Sequence, residues 1–240
     1  KGQGMSHVTS SPLLQVRHLH KFFGGNRAVD GVSFSLARGE VLALIGPNGA
    51  GKSTTFNLLN GQLQPDSGDV LLDGVSITGA SPSTLARRGV GRTFQTAQTF
   101  ASFTVLENVQ IALIASQGQS LRLWTRASHH QRDAAMHLLE RVGLQAHAQR
   151  ACTSLAYADL KRLELALALA TAAQPGQPQL LLMDEPTAGM AAPDRRALMD
   201  LVRQLVREHQ LAVLLTEHSM DVVFGYADRV LVMVRGRVLA

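Results

Sequence analysis

The sequence predicts an α/β fold organised around a mostly parallel sheet, and two observations support this prediction. First, residues 41–45 and 180–183 are short and entirely apolar, as expected of strands that are buried on both faces. Second, the stretch at 194–209 is amphipathic with a helical period, as in helices that cover such a sheet. A chain of 240 residues suffices for one or two domains with a substantial core.

Composition narrows the class of protein. The formal net charge of +5 suits nucleic acid, an anionic membrane surface or nucleotide phosphates equally well. No apolar stretch approaches the ~20 residues that span a bilayer, and no secretory segment opens the sequence. The single cysteine, Cys152, allows no internal disulfide, which fits a reducing compartment. We therefore expect a cytoplasmic protein without membrane spans, and residues 1–11 are expected to be a disordered leader.

Residues 46–53, Gly-Pro-Asn-Gly-Ala-Gly-Lys-Ser, indicate function most directly. They lie between the apolar run at 41–45 and a predicted helix at 54–59, which is the strand–GxxxxGK[ST]–helix context of a phosphate-binding loop. The glycines let backbone N–H groups converge on phosphate oxygens at a helix N-terminus. Lys52 then reaches the β- and γ-phosphates, and the Ser53 hydroxyl ligates Mg²⁺, so the loop predicts a nucleotide site. Its further predicted contacts are Asn48, Gly49, Gly51 and Thr54.

Two other apolar strands end in residues suited to phosphate chemistry. Asp184 and Glu185 follow the strand at 180–183, and His218 follows a strand at 211–215. Because parallel strands bring their carboxyl ends to one edge of a sheet, these side chains are expected beside the phosphate loop. There Asp184 is a candidate Mg²⁺ partner, and Glu185 can orient or deprotonate an attacking water. For His218 the residues alone leave open a structural role or a γ-phosphate contact.

In this order along the chain, the motifs resemble those of ATP-binding cassette (ABC) ATPases. The phosphate loop corresponds to Walker A, and the strand with its two acidic residues corresponds to Walker B and the catalytic glutamate. The resemblance implies ATP and Mg²⁺ as ligands, and it places Gln95 with Ser53 and Asp184 around Mg²⁺ and the attacking water. It makes His218 the switch histidine and Phe23 the aromatic residue that stacks on adenine.

The segment 154–158, Ser-Leu-Ala-Tyr-Ala, occupies the position of the ABC signature motif, which in the family contacts the nucleotide of a second subunit. The nucleotide-binding residues implied here are Leu155, Ala156, Tyr157 and Ala158. The segment departs from the family, which generally has glycine in place of Ala158 and glutamine in place of Leu160. Leu167 stands where the signature helix of the family commonly has an arginine. Residues 189–193 lack the usual aspartate of the D-loop, which is the loop after Walker B. These departures concern the half of the site that a second subunit shares, whereas the Walker A and B half is intact.

The resemblance covers about residues 13–240 and implies a single ABC ATPase domain at 12–240. In this domain a P-loop NTPase core of mostly parallel sheet is formed by residues 12–80 and 178–240. The core carries an N-terminal antiparallel β subdomain. A helical subdomain is inserted at about 90–165.

Local patterns predict the elements of these parts. Alternation places Leu14, Val16 and His18 on one buried strand face, ahead of a turn at 22–25. A Thr-Val-Leu-Glu capping box at 104–107 opens a helix. The other predicted helices of this region are 83–88, 127–142 and 154–173.

Finer features resemble the ATPase subunits of importers for branched-chain and other hydrophobic amino acids. They are the runs at 56–57, 92–95, 104–108 and 155–157. Related cassettes serve urea and lipopolysaccharide systems, which stay as alternatives. The resemblance implies integral-membrane permease subunits, a second ABC ATPase subunit that is identical or different, and an external solute-binding protein as an indirect partner. It places the chain peripherally on the inner face of the cell membrane. We expect the helical segment at 96–126, which follows Gln95, to contact the permease.

Two other classes of function are weighed against this one. A soluble ABC protein that acts on nucleic acid or the ribosome is supported only by the basic stretch at 122–132. Such proteins resemble tandem or coiled-coil-inserted chains, and this sequence shows neither feature. We therefore expect no nucleic-acid partner. A GTPase or small-molecule kinase is disfavoured because no Asn-Lys-x-Asp guanine motif occurs in the sequence.

Overall fold

The structure is a computed structural model, and it describes residues 11–93, 99–116, 131–172 and 179–239. In these ranges the chain forms two sheets flanked by helices, which confirms the predicted α/β class. Residues up to 10, Gln95 and the segment 117–130 lie outside the described residues. No helix in the described part of the chain is both long and apolar enough to cross a membrane.

Ten strands and seven helices form the fold of the described residues, together with two short 3-10 turns. The strands are β1 (Leu14–Phe23), β2 (Asn26–Leu36), β3 (Val41–Ile45), β4 (Ser67–Leu72), β5 (Val75–Ser76), β6 (Val90–Thr93), β7 (Leu180–Asp184), β8 (Ala212–Thr216), β9 (Arg229–Val234) and β10 (Arg237–Val238). The helices are α1 (Lys52–Leu59), α2 (Pro82–Arg87), α3 (Val105–Ser116), α4 (Arg132–Arg141), α5 (Tyr157–Ala172), α6 (Ala192–His209) and α7 (Met220–Tyr226).

The larger sheet has the strand order β10-β9-β3-β8-β7-β6. Neighbouring strands are parallel except β9 and β10, which form an antiparallel hairpin at one edge. The central strands are buried on both faces. In β3, Leu42 and Leu44 belong to one hydrophobic cluster, whereas Val41 and Ala43 belong to the other. The mostly parallel core that the apolar runs predicted is therefore confirmed.

The N-terminal strands form a separate sheet, in the order β2-β1-β4-β5, and each pair is antiparallel. Leu14 and Val16 are buried as predicted, but His18 is exposed, so its predicted place on the buried face is wrong. The register of β1 against β2 shifts between Val16 and Leu19, and His18 has a φ of 47°. This bulge adds a residue to the strand, so Leu19 takes the next buried position.

Strand β1 also runs farther than its sequence suggests. Phe22 and Phe23, which were predicted in a turn, are the last residues of β1 and pair with Arg27 and Asn26 of β2. Only Gly24 and Gly25 make the turn, since Gly24 adopts a positive φ of 57°. Phe23 is therefore held at the end of a paired strand.

Local capping chemistry predicted the start of α3 correctly. The Thr104 N–H donates to Glu107 Oε2 at 2.8 Å, and the Glu107 N–H donates to Thr104 Oγ1 at 3.2 Å. Helix α5 begins three residues later than predicted, at Tyr157. Residues 152–154 form a 3-10 turn and Leu155 is extended, so the α-helix can begin only after Leu155.

Strand β6 was not predicted from the sequence. It lies parallel to β7, with Val90 opposite Leu180, inside a stretch that we expected to be mainly helical. Its sequence, Val-Gly-Arg-Thr, has no apolar run. A Cβ on Gly91 would overlap the carbonyl oxygen of Ala168 in α5, so the glycine lets the strand pack closely on that helix. Strand β6 thereby brings Arg92 towards the ends of the core strands.

Candidate active site

A cavity of about 1070 Å³ opens where the core strands β3, β7 and β8 end. The phosphate loop and the residues after β7 and β8 form its inner end, and β2 with the β9–β10 hairpin forms its outer wall. Ten residues assigned to the site from the sequence line this cavity: Phe23, Asn48, Gly49, Gly51, Lys52, Ser53, Thr54, Asp184, Glu185 and His218. One chain thus brings the Walker A and Walker B residues together around one space.

Two glycines of the phosphate loop permit close packing that a side chain would prevent. A Cβ on Gly46 would overlap the carbonyl oxygen of Met233, and a Cβ on Gly51 would overlap that of Ala28. Gly51 has a φ of 103° and is the N-cap of α1, which begins two residues earlier than predicted. Gly51 has no side chain with which to cap this helix terminus, so the N–H groups of the first turn can bind an anion.

Lys52 is buried, with 7% of its surface exposed, although it lines the cavity. Its Nζ donates to the carbonyl oxygens of Gly46 at 2.7 Å and of Pro47 at 3.1 Å. These acceptors are neutral, and a buried ammonium gains far more from an anion than from a carbonyl. The Lys52 side chain therefore offers a positive charge that the phosphate loop itself does not neutralise.

Asp184 ends β7 and is also buried. Its Oδ1 accepts from the Thr216 hydroxyl at 2.7 Å, and its Oδ2 lies 3.4 Å from Nη2 of Arg92. The Arg92 guanidinium also donates to Asn57 and Gln62, at 2.9 Å each. Burial lowers the pKa of Arg92, and the nearby Asp184 carboxylate opposes this shift. This role of Arg92 was not predicted, because the short sequence of β6 does not resemble a buried strand.

Glu185 and His218 form a close pair at the inner end of the cavity. Glu185 Oε1 lies 3.0 Å from His218 Nε2. Glu185 has a φ of 49°, which is unusual for a residue with a side chain. Its N–H lies 3.1 Å from both the carbonyl oxygen and the hydroxyl of Thr216, and these bonds hold the left-handed conformation. The backbone after β7 is thus turned so that Glu185 meets His218.

Glu217, directly before His218, was not assigned a role from the sequence. Its side chain is buried, and its carboxylate accepts from both the N–H and the hydroxyl of Thr187, at 2.9 and 2.6 Å. It also accepts from the N–H of His218 at 3.1 Å and of Ser219 at 3.4 Å. The sequence does show an acidic residue directly after an apolar strand, which could have marked Glu217 as a candidate. No local pattern identifies its partner Thr187.

The signature segment is not part of this cavity: none of Leu155, Ala156, Tyr157 and Ala158 is among its described lining residues. The Tyr157 hydroxyl donates to the carbonyl oxygen of Ala188, in the loop after β7, at 2.9 Å. Ala158 is half-buried in the first turn of α5 and does not adopt a positive φ. The folded chain therefore keeps this segment apart from its own phosphate loop.

The residues present fit a single Mg²⁺ ion that is shared with a phosphate. Ser53 and Asp184 line the same cavity and offer a hydroxyl and a carboxylate oxygen. Within the described residues, no group of three His, Cys, Asp or Glu side chains could hold a metal ion alone. Mg²⁺ prefers one or two protein oxygens completed by water and phosphate oxygens, so this donor set suits it.

The fold and this cavity define an ATP-binding cassette, and the comparisons with known proteins agree. The ABC transporter family matches residues 29–188, well over half of the chain, and the chain belongs to this family. The chain is therefore an ATPase of the ABC type.

Individual relatives narrow the similarity further. The chain is 40% identical to the high-affinity branched-chain amino acid transport ATP-binding protein LivG of Escherichia coli (strain K12), over 96% of this chain and 91% of LivG. It is 37% identical to the corresponding protein BraF of Pseudomonas aeruginosa, over 96% of this chain and 91% of BraF.

Solved structures show the same architecture. A crystal structure of a nucleotide-free ATP-binding cassette from an ABC transporter is 34% identical and superposes with a TM-score of 0.85, covering 96% of this chain and 90% of that one. A cassette crystallised in its ADP conformation is 32% identical, with a TM-score of 0.84 and coverage of 96% and 91%.

Proposed function

We propose that this chain is the ATPase subunit that powers an importer of branched-chain amino acids, peripherally bound on the inner face of the cell membrane. The observation that carries the proposal is the 40% identity to LivG over almost the whole chain. The cavity supports it, because one chain supplies the phosphate loop, the Walker B carboxylates and the histidine.

In the proposed mechanism, the phosphate loop binds the triphosphate of ATP. The N–H groups at the start of α1 bind phosphate oxygens, and Lys52 exchanges its carbonyl partners for the β- and γ-phosphates. Ser53 and Asp184 would hold Mg²⁺, which neutralises charge on the phosphates when it is bound. Phe23, 49% exposed at the outer end of the cavity, stacks on the adenine ring.

Glu185 is the proposed general base. Its carboxylate orients a water towards the γ-phosphate and accepts a proton from it. His218, 3.0 Å away, donates a hydrogen bond from Nε2 to Glu185 and holds this carboxylate towards the γ-phosphate. Gln95, which lies outside the described residues, stays a prediction as the residue that senses Mg²⁺ and the water.

The signature segment is proposed to act on a second subunit. Leu155, Ala156, Tyr157 and Ala158 do not line the cavity of their own chain. We place them against the γ-phosphate held by a second ABC ATPase subunit, identical or different, where the start of α5 offers backbone N–H groups. The complete site therefore requires two subunits.

A mostly apolar groove supports the proposed contact with a permease. It encloses about 450 Å³ between α2, α3, α5 and β6, and its lining includes Thr93, two positions before Gln95 in the sequence. Its apolar lining residues include Leu85, Val90, Phe100, Ile111 and Leu167. Phe100 and Ile111 belong to the segment 96–126, for which we expected this contact. A groove of this kind fits an apolar helical segment of a permease subunit.

An exposed aromatic pair extends this groove. Phe100 and Phe103 are 53% and 37% exposed, and their rings meet edge to face with centroids 5.8 Å apart. Asn108 accepts from the Phe100 N–H at 2.8 Å and donates to the Phe100 carbonyl at 3.2 Å, so the position of Phe100 is fixed. Exposed aromatic residues on a rigid support are typical of the centre of a protein interface.

Transport measurements in cells that lack this subunit but retain its permease test the proposal. We expect the wild-type chain to restore uptake of labelled leucine, isoleucine and valine, whereas Glu185→Gln does not. In the purified transporter, Glu185→Gln should still bind ATP but hydrolyse it about 10²–10⁴-fold more slowly, the usual contribution of a general base. Arg38→Ala is the control, since Arg38 pairs with Asp73 on the surface.

Two outcomes would contradict the proposal. Restored uptake of urea without uptake of branched-chain amino acids would select an alternative substrate system. Wild-type ATP turnover by Glu185→Gln would remove Glu185 from the catalytic role. The basic stretch at 122–132, on which the nucleic-acid alternative depends, lies outside the described residues except for positions 131 and 132.

A further inference from the structure

We propose that Glu217 is a positioning residue that holds Glu185 and His218 in reacting geometry by joining the two loops that carry them. Glu185 lies in the loop after β7, and His218 lies in the loop after β8. The inference rests on the catalytic roles proposed above. It concerns a buried carboxylate that does not line the nucleotide cavity.

One oxygen of Glu217 binds the loop after β7. Oε1 accepts from the Thr187 N–H at 2.9 Å and from the Thr187 hydroxyl at 2.6 Å. Thr187 is 2% exposed and lies only two residues beyond Glu185. The position of this loop relative to β8 is therefore set by Glu217 at a point close to the proposed base.

The other oxygen binds the loop after β8. Oε2 accepts from the N–H of His218 at 3.1 Å and from the N–H of Ser219 at 3.4 Å. The backbone of His218 is thus fixed by the same carboxylate that fixes the loop of Glu185. One side chain connects the two halves of the Glu185–His218 pair.

An ionised carboxylate suits this place better than any neutral side chain. It only accepts hydrogen bonds, and here it meets four donors with its two oxygens. Glutamine would turn its NH₂ group towards one pair of donors and lose that half of the connection. Because Glu217 is 4% exposed, water does not readily replace the lost acceptor.

The reacting pair depends on such support because its own side chains are loosely held. The side chains of Glu185 and His218 are 28% and 53% exposed. Their 3.0 Å contact joins the same two loops as Glu217 does. A displacement of about 1 Å between a base and its target costs up to about 10²-fold in rate. A change at Glu217 should therefore slow hydrolysis without weakening ATP binding.

The test compares Glu217→Gln with a matched variant at the opposite, amino-terminal end of the core strands. Glu40, before β3, also carries a largely buried carboxylate, since its side chain is 11% exposed. It accepts hydrogen bonds from the Ala37 N–H at 2.6 Å and from Arg229 at 2.8 Å. Glu40→Gln makes the same chemical change away from the cavity. Steady-state ATP hydrolysis by the complete transporter, ATP binding and melting temperature are measured for both variants.

We expect Glu217→Gln to lower kcat by about 10–100-fold with KM and ATP affinity within about twofold of wild type, as for other residues that orient reacting groups. Glu40→Gln should lower the melting temperature comparably with kcat unchanged. Thr187→Val, which removes the hydroxyl donor, should lower kcat by about fivefold, the effect of one hydrogen bond, and Thr187→Ser should restore it.

A double variant distinguishes positioning from general damage. If Glu217 acts through Glu185, adding Glu217→Gln to Glu185→Gln should reduce the residual rate by less than about twofold. Full multiplication of the two losses, or equal losses of kcat and ATP affinity in Glu217→Gln, would overturn the inference. Wild-type turnover by Glu185→Gln would instead overturn the proposed function, so the two failures are separable.

Discussion

We propose that both the cavity at the ends of the core strands and the signature segment contact nucleotide, but the chain builds these two regions differently. In the cavity, residues from β1, the phosphate loop, β7 and the loop after β8 converge within one subunit. The signature segment at 154–158 lies outside that cavity, and a hydrogen bond from Tyr157 to Ala188 connects it to the loop after β7. The cavity keeps the family pattern, whereas the signature segment departs from it at Ala158.

This difference shows where substitution is tolerated. The cavity depends on charge and on backbone positions that a Cβ would block, as at Gly51. The signature segment is instead proposed to contribute backbone N–H groups at the start of a helix, which most residues supply equally well. We therefore expect changes in the cavity to have larger effects than the natural departure at Ala158.

The largest expected effect comes from Lys52→Ala. The triphosphate would lose the one ammonium that the phosphate loop offers, and hydrogen bonds to charged groups contribute about 1.5–3 kcal/mol each. We expect ATP affinity to fall by about 10²-fold or more, measured by nucleotide titration of the purified chain. The exposed Arg38→Ala serves as control, and an unchanged affinity in Lys52→Ala would show that this cavity is not the nucleotide site.

Ala158→Asp should abolish ATP turnover by the complete transporter, because it places a carboxylate against the γ-phosphate held by the second subunit. Ala158→Gly should leave turnover similar or raise it several-fold, at a cost of about 0.5–1 kcal/mol in helix stability. Binding of ATP to the isolated chain is the internal control, since Ala158 does not line its cavity. Normal hydrolysis by Ala158→Asp would mean that α5 does not face nucleotide.

Tyr157→Phe tests how far the signature segment depends on the cavity. It removes the hydrogen bond between this segment and the loop after β7. The ring stays, together with its contact to Lys161, whose Nζ lies 5.5 Å from the ring centre. Because Tyr157 is half exposed, we expect the free energy of unfolding to fall by only about 0.5–1 kcal/mol in chemical denaturation. A loss above about 3 kcal/mol would indicate that this contact supports the whole fold rather than one loop.

The smallest effect is expected at the outer wall of the cavity. A hydrogen bond from Arg237 lowers the pKa of Asp30, and partial desolvation opposes this shift. The charges of Arg237, Arg27 and His20 lower the pKa further. A depressed pKa contributes stability that is present above the ordinary aspartate pKa and is lost as pH falls through the folded value. Melting temperatures of wild type and Asp30→Asn should therefore differ slightly at pH 7, and the difference should begin to shrink only as the pH falls below about 4. A difference that grows on acidification would contradict this sign.

Local patterns correctly predicted the positions of most residues that line the cavity. They failed where the structure depends on contacts between residues that are far apart in the sequence. The phosphate loop, the strand ends at Asp184 and His218, and the capping box at Thr104 depend on neighbours in sequence, and each lies where its pattern indicates. Strand β6 has no apolar run, and the close packing of Gly91 on α5 is not visible in its local sequence. The burial of Leu19 in place of His18 depends on a bulge that strand alternation does not reveal.

The sequence by itself determined the kind of chemistry. A glycine-rich loop between a buried strand and a helix binds phosphate through its own backbone, so eight consecutive residues at 46–53 suffice to indicate it. Only the tertiary structure decided how the reacting groups are held. Glu217 and Thr187 are thirty positions apart, and Arg92 is ninety-two positions from Asp184. Such pairs form because buried polar groups must find partners across neighbouring strands, and the order of strands in a sheet is not encoded in any local pattern.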